Sequence, residues 1–489
     1  MKPLRLSVLS LAVAIALSPA AASAASSRQL ERELQELRDR VRQLEGTLNE
    51  TKAAARPAPV NSELEQKVKV LERRQELAEE EAAKRKKENP VFKAGEKGYS
   101  FGSADGDFEL KLRGYLQADS RFSFDDDPAI SGSFNDTFLL RRVRTIFEGT
   151  LWKYYGFRIM PDFDGGTGSF SLQDAHIDFK HLQEASLRVG RFKGPVGLER
   201  LQSGTDIRFN ERGLPTNLVP NRDIGVQLHG DLCGGVLSYA GGYFNGVNDR
   251  GSSGVDVTDD KEFEGRIFAH PFKNTCGPLQ GLALGIAGTY GDKNGDSGLS
   301  NYVSQLQTAF FRYSDGAEAS GTHYRISPQG YYYRGPFGLS GEYVVSSQEL
   351  TRGGHERQLE HDSWQILGSY VLTGEDNGYK GIKPKSRFDP FHGGWGAWEF
   401  VARYGELDID DDAFVGLNGS NAGRLANPQS SASAASEWGV GLNWYLNPDL
   451  RAAANYEQTS FDGGLAGDGD AVLDRETENA LFTRFQISY

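Results

Sequence analysis

The sequence predicts an all-β fold: a 16-stranded antiparallel transmembrane β-barrel preceded by an N-terminal α-helical coiled-coil segment. Three observations carry that expectation. The chain opens on a secretory leader. From residue 90 to the last residue its apolar pattern has a period of two. The connections between the alternating segments are in turn long and short, an asymmetry of bacterial outer-membrane barrels.

The leader comes first. Lys2 and Arg5 give a short positive start, and Leu6 to Leu17 is apolar apart from small residues. Ala22-Ser23-Ala24 then offers a small-x-small cleavage site, so residues 1–24 read as a signal peptide. No later stretch approaches the roughly 20 consecutive apolar residues that a bilayer-spanning helix needs.

Residues 25–89 form the expected periplasmic coiled-coil segment. Leu30, Leu34, Leu37, Val41, Leu44 and Leu48 step by four and three, which places them on one helical seam. Pro57 and Pro59 break the helix. A weaker pattern follows at Leu64, Val68, Leu71 and Ala78. Such short heptads associate when a larger body holds several copies together; a solvated amphipathic helix is the alternative.

Residues 90–489 form the expected barrel. In Phe108 to Asp119, Leu110, Leu112, Leu116 and Ala118 take one face, and Glu109, Lys111, Arg113, Tyr115 and Gln117 take the other. Similar segments are expected at 108–123, 137–150, 153–163, 171–181, 185–192, 222–231, 234–244 and 261–271. They continue at 281–290, 322–334, 337–349, 358–372, 396–408, 435–446, 449–461 and 477–489. Residues 435–446 point Trp438, Val440, Leu442, Trp444 and Leu446 one way, as a lipid-facing set should be.

The long connections are 124–136, 193–221, 245–260, 291–321, 409–434 and 462–476. The short ones are at 151–152, 182–184, 232–233, 335–336 and 447–448. One connection breaks the rule: 373–395 is long yet belongs to the short-turn end. Trp152, Tyr154, Tyr155, Trp395 and Trp398 near strand ends suit interfacial aromatic girdles. The chain ends on Leu481, Phe485, Ile487 and Tyr489 in register, and an aromatic last residue resembles the signal read by the barrel assembly machinery.

Charge narrows the function classes. The formal net charge is −13. The leader holds +2, and residues 25–89 hold 15 basic and 14 acidic residues, so the remaining 400 carry −16. That excludes a nucleic-acid partner, whose phosphates need a basic surface. Cys233 and Cys276 are the two cysteines; both fall in expected periplasmic turns, where one disulfide between them is open. Asp408, Asp410 and Asp412 mimic a calcium loop, but the Gly and terminal Glu that such a loop needs are missing. No metal, cofactor or catalytic motif is expected. Acidic clusters such as Asp125 to Asp127 read as solvated loop charge, with bridging to lipopolysaccharide through divalent cations as the alternative.

Several segments resemble the phosphate-selective and polyphosphate-selective porins O and P. They include Leu110-Lys-Leu-Arg-Gly-Tyr-Leu-Gln-Ala-Asp119, Arg141-Arg142 and Gly190-Arg191-Phe192 with Gly197-Leu198-Glu199-Arg200. Leu372-Thr-Gly-Glu375, Gly396-Ala-Trp-Glu399 and Gly441-Leu-Asn-Trp-Tyr445 follow in order. The resemblance covers roughly residues 105–489. It implies a homotrimer with a constricted, anion-preferring pore and a third long loop, here 193–221, folded into the lumen. Arg200 matches a basic loop position of the family's phosphate-binding pores, and Arg142 a basic position on the second strand.

Phosphate needs donors: Arg presents a planar fork and Lys a compact charge. Strand parity places Arg142 and Arg144 inward, with Arg141 on the outer parity near a subunit contact. Lys111, Arg113, Arg158 and Arg188 are inward too. Loop 193–221 adds Lys193, Arg200, Arg208 and Arg212, with Arg222 just after it. Inward Asp174 and Asp178 dilute that field. The expected function is passive diffusion of small anions, phosphate or polyphosphate, across the outer membrane of a Gram-negative cell. The alternatives are a general, weakly selective porin and a structural outer-membrane protein linked to peptidoglycan.

Overall fold

Alternation of apolar and polar side chains becomes sixteen antiparallel strands in the computed structural model. It describes residues 35–50, 62–88, 90–95, 98–124, 136–163, 169–182, 184–252, 259–295, 299–417 and 421–489. The expected signal peptide lies outside these residues. The strands are β1 (Glu109–Ser123), β2 (Thr137–Leu151), β3 (Tyr155–Phe163), β4 (Phe170–Leu182), β5 (Ala185–Phe192), β6 (Asp223–Leu232), β7 (Leu237–Phe244) and β8 (Glu262–Ala269). They continue as β9 (Leu282–Gly295), β10 (Glu318–Arg334), β11 (Phe337–Arg352), β12 (His355–Val371), β13 (Ala397–Asp408), β14 (Ala432–Tyr445), β15 (Leu450–Ala466) and β16 (Glu478–Ser488). Each pairs with its sequence neighbours, and β16 returns to β1 with Phe485 opposite Ala118. Closure leaves no unpaired edge, as hydrocarbon requires.

The two faces of the sheet differ chemically. On β14, Trp438, Val440 and Leu442 are exposed on the outside, while Glu437 and Asn443 are buried on the inside. That is the reverse of a water-soluble core, and it suits a lipid-facing wall around a polar lumen.

Two of the register shifts change which residues face the lumen at the site. Across β1 and β2, Gln117 faces Arg142 and Ala118 faces Leu140, so Arg141 has no partner of its own. Across β3 and β4, Met160 faces Asp174 and Pro161 faces Leu172, so Gln173 is skipped. A bulge sets two consecutive side chains against one partner residue. The outward placement expected of Arg141 is therefore wrong: it bonds into the lumen alongside Arg142.

The long connections are shorter than the sequence suggested, because β9, β10 and β15 extend further. At the same end, β11 and β12 meet in a two-residue turn at Gly353 and Gly354, whose φ values of 61° and 80° suit a tight hairpin. Three segments fold into the lumen: 193–222, 299–313 and 374–382. The first carries the short helix α3 (Leu198–Leu201) and a 3-10 turn at Leu214–Asn217. The long-loop end also has a hydrophobic core of its own. Leu214, Leu218, Tyr302, Phe310, Phe311, Leu425 and Phe461 are buried together there.

The N-terminal residues form a separate unit. It holds α1 (35–50) and α2 (Ser62–Glu88), joined by Arg38 Nη2 to Glu79 Oε1 at 3.0 Å. Val41 is buried and Leu37, Leu44, Leu48, Val68 and Leu71 are half-buried, so in one chain the heptad seam is partly covered. Among the described residues no helix is long and apolar enough to cross a membrane.

Candidate functional site

The lumen narrows where segment 193–222 crosses it, and the crossing is fixed by bonds on every side. Carboxylates from the β11–β15 wall take its backbone N–H groups. Glu342 accepts from Leu198 N at 2.7 Å and Glu199 N at 3.2 Å, and Glu437 from Leu214 N at 3.2 Å. Arg403 on β13 ties this wall together, 2.7 Å from Glu457 and 3.3 Å from Glu437, and donates to the carbonyl of Glu211. Two glycines permit the fit. A Cβ on Gly194 would collide with Glu264 Oε2, and one on Gly213 with Gln365 Oε1.

Opposite that wall lies a cavity of about 400 Å³. Among the described residues its cationic lining is Arg141, Arg142 and Arg144 from β2, Lys193, Arg200 and Arg212 from the crossing segment, Arg222 and Arg250. Two carboxylates, Asp162 and Glu211, share the lining, so eight positive charges face two negative ones. The rest is almost all neutral and polar, with Gln173, Asn217, Ser304 and Gln307 among it. The last two come from segment 299–313, held to the crossing by paired bonds of 3.0 Å between Asn217 and Val303.

The cations divide by partner. Arg141 holds Glu211 in a fork, Nε at 2.5 Å and Nη2 at 3.0 Å, with Arg121 at 2.9 Å and Arg142 at 3.7 Å. Burial disfavours the Glu211 charge, but Arg141, Arg142 and Arg121 outweigh it and hold the carboxyl well below the usual range. Arg144 pairs with Asp162 at 2.8 Å, and Arg222 with Asp174 at 2.8 Å. The other four donate to neutral oxygens. Lys193 bonds the carbonyls of Arg200 and Gln202 at 2.6 and 2.7 Å. Arg200 bonds that of Thr216 at 2.5 Å, and Arg212 those of Glu199 and Gln202. Arg250 reaches Gln307 Oε1 at 3.3 Å. Neutral hydrogen-bond partners leave these side chains without a direct carboxylate pair, which favours an anion at the cavity.

Of the residues expected from sequence, the cavity brings together Arg142, Arg144, Lys193, Arg200, Arg212 and Arg222. Arg208 goes elsewhere: it pairs with Glu399 at 2.9 Å and bonds Asn377 and Gly378 of the third inward segment, so it locks loops together. Lys111, Arg113 and Arg158 sit toward the short-turn end in pairs with Glu109 and Glu148. Arg188 pairs with Asp178 at 2.7 Å and lines a second cavity, about 250 Å³, which Lys193 also reaches. Arg250 was not expected, because it comes from loop 245–260, whose path periodicity does not give. Cys233 and Cys276 are exposed, and both thiols are free in this structure. Among the described residues no group of His, Cys, Asp and Glu fits a metal ion.

The family described as "Phosphate-selective porin O and P" matches residues 110–489. Porin O of Pseudomonas aeruginosa is 25% identical over 404 residues, covering 76% of this chain and 88% of that protein. Among solved structures, the outer membrane channel DcaP of Acinetobacter baumannii aligns with a TM-score of 0.48 and 14% identity, covering 78% of this chain and 97% of that one. The anion-selective porin from Comamonas acidovorans aligns with a TM-score of 0.47 and 13% identity, covering 78% of this chain and all (100%) of that one.

Proposed function

The chain belongs to the phosphate-selective porin O and P family, and from that premise we propose that its barrel passes small anions, phosphate and polyphosphate, through the basic cavity beside segment 193–222. It is an outer-membrane porin, a channel and not an enzyme. The observation that carries the proposal is the lining of eight cations against two carboxylates in a chain whose net charge is −13. Lys193, Arg200, Arg212 and Arg250 donate to neutral oxygens and face the cavity, and a phosphate oxygen can take the donors they do not use. Diffusion needs no covalent step. Binding must be firm enough to draw the ion in and weak enough to release it.

The same reading includes a homotrimer in contact with outer-membrane lipids and lipopolysaccharide, inserted by the barrel assembly machinery. It places residues 25–89 in the periplasm as a coiled coil that gathers copies of the seam Leu37, Val41, Leu44 and Leu48.

Planar-bilayer conductance tests the proposal. Purified protein in chloride is titrated with phosphate and then pyrophosphate. Block of the chloride current at sub-millimolar to millimolar phosphate, weakened in Arg200→Ala, is the expected result. Open channels with no block and near-equal cation permeability would reduce the protein to a general porin. No channels at all would favour the structural role.

A further inference from the structure

The connection between β12 and β13 is long although it lies among the short turns, and its two halves do different things. Residues 374–382 enter the lumen, where Tyr379 donates to the Leu198 carbonyl at 2.6 Å. Residues 383–396 instead lie against the outer wall. Phe388 N donates to Leu446 O at 2.6 Å, and the Phe388 ring meets Trp444 edge-on with centroids 4.8 Å apart. Trp444 Nε1 in turn donates to Trp395 O at 2.8 Å. Trp444 stacks on Trp398 at 4.9 Å. Both stand on the lipid-facing sides of their strands, in register with Phe400 and Leu442.

This tongue is a built shape. Asp389 N donates to Gly394 O at 2.9 Å, and Gly393 N and Gly394 N donate back to Asp389 O. The Asp389 carboxylate accepts from Phe391 N and His392 N and lies 2.7 Å from His392 Nδ1, so its charge is used inside the turn. At the tip Phe391 is 89% exposed, and Trp395 is 68% exposed. Large rings this open are costly in water and favourable at the boundary between acyl chains and headgroups.

Charge supplies the second half of the argument. Residues 383–396 hold Lys383, Lys385 and Arg387 against the single carboxylate of Asp389, in a chain of net −13. Lys385 and Arg387 are exposed, and the Lys385 ammonium donates to the Gly374 carbonyl. A basic cluster next to interfacial rings is the chemistry that selects an anionic headgroup, with guanidinium and ammonium on phosphate and the rings at the glycerol level. The short turns of bacterial barrels face the periplasm. The leaflet at that end is phospholipid, and lipopolysaccharide faces the long loops.

We propose that residues 383–396 bind the headgroup of an anionic phospholipid of the periplasmic leaflet, with Arg387 and Lys385 on the phosphate and Phe391 and Trp395 at the membrane boundary. The proposal stands whether or not the pore selects phosphate.

The full-length porin is reconstituted in phosphatidylcholine bilayers doped with brominated phosphatidylglycerol or, at equal fraction, brominated phosphatidylcholine. Quenching that belongs to Trp395 is the difference between the protein and its Trp395→Phe variant. Stronger quenching by the anionic lipid is expected. That preference should fall about five-fold for each cation removed in Lys385→Gln and in Arg387→Gln, and vanish in the double variant. Unchanged conductance of the double variant shows that it is folded. Equal quenching by the two lipids overturns the proposal, as does a preference that survives both substitutions. Co-sedimentation with isolated peptidoglycan, lost in the double variant while lipid quenching is unaffected, would overturn it in favour of a cell-wall contact.

Discussion

The two walls of the lumen are both densely charged, yet they act oppositely. On the β11–β15 side Glu342, Glu437 and Glu457 are buried and bound to backbone N–H groups or to Arg403. On the β2–β6 side the Arg and Lys side chains face a cavity, and four of the eight cations have only neutral oxygens for partners. The difference teaches why an acidic chain can enclose a basic constriction. Carboxylates that serve as acceptors for a loop contribute little field to the pore, whereas cations bound to carbonyls keep theirs. One wall positions the loop, and the other faces the ion.

The comparison breaks most severely at Arg403. Arg403→Leu leaves Glu437 and Glu457 buried without their cation, which should cost about 3–5 kcal/mol. Segment 193–222 then loses its dock, so single-channel conductance should rise and the thermal midpoint of the folded barrel should fall. Wild-type conductance and midpoint in that variant would refute the division of roles.

On the other wall, Arg200→Ala should weaken phosphate block by about ten-fold, the loss of one charge-assisted hydrogen bond of about 1.5 kcal/mol, with little change in thermal midpoint. Block titrations in chloride measure it.

Glu211 sits between the two roles, since it docks the loop through Arg141 and also lowers the cavity's charge. Glu211→Gln should move the reversal potential in a salt gradient toward anions by a few-fold in permeability ratio; a shift toward cations would contradict this assignment. Because its carboxyl is held below the usual range, its stabilisation is present above about pH 4.3 and is lost only as pH falls further. Glu211 should therefore add no pH dependence to selectivity from about pH 7 to pH 5.

Lys193 gives the smallest effect. Burial first, then Arg212 and Arg222, hold its ammonium well below the usual lysine range. It therefore sheds its proton, and one positive charge leaves the cavity, at a pH below the ordinary value of about 10.4. Anion preference should decline as pH rises toward the ordinary lysine range, and Lys193→Gln should remove that part of the decline. A wild-type profile that matches the variant's would rule Lys193 out.

The wall itself was legible in the sequence because lipid enforces a two-residue period: all sixteen strands lie where alternation put them. Arg142, Arg144, Lys193, Arg200 and Arg222 were legible for the same reason, or through the family segment at Gly197 to Arg200. Parity failed at the two bulges, and the sequence held a signal there. Arg141 beside Arg142 would set one guanidinium toward lipid, at a cost of roughly 2–4 kcal/mol near the midplane. Consecutive charged or polar residues in a barrel strand therefore call for an inserted residue, as Gln173 with Asp174 does again. Arg208 and Arg250 were not legible in the same way. Their partners, Glu399 and Gln307, are 191 and 57 residues away, and periodicity carries no long-range pairing.

The bonding of segment 193–222 has an electrical consequence. A constriction whose backbone is held by Gln117, Glu342, Arg403, Glu437, Asn443 and Arg451 from five different strands has few ways to rearrange. Current through it should be quiet, with one dominant level and little flicker at fixed voltage, so that each brief interruption in phosphate reports the dwell of a single ion.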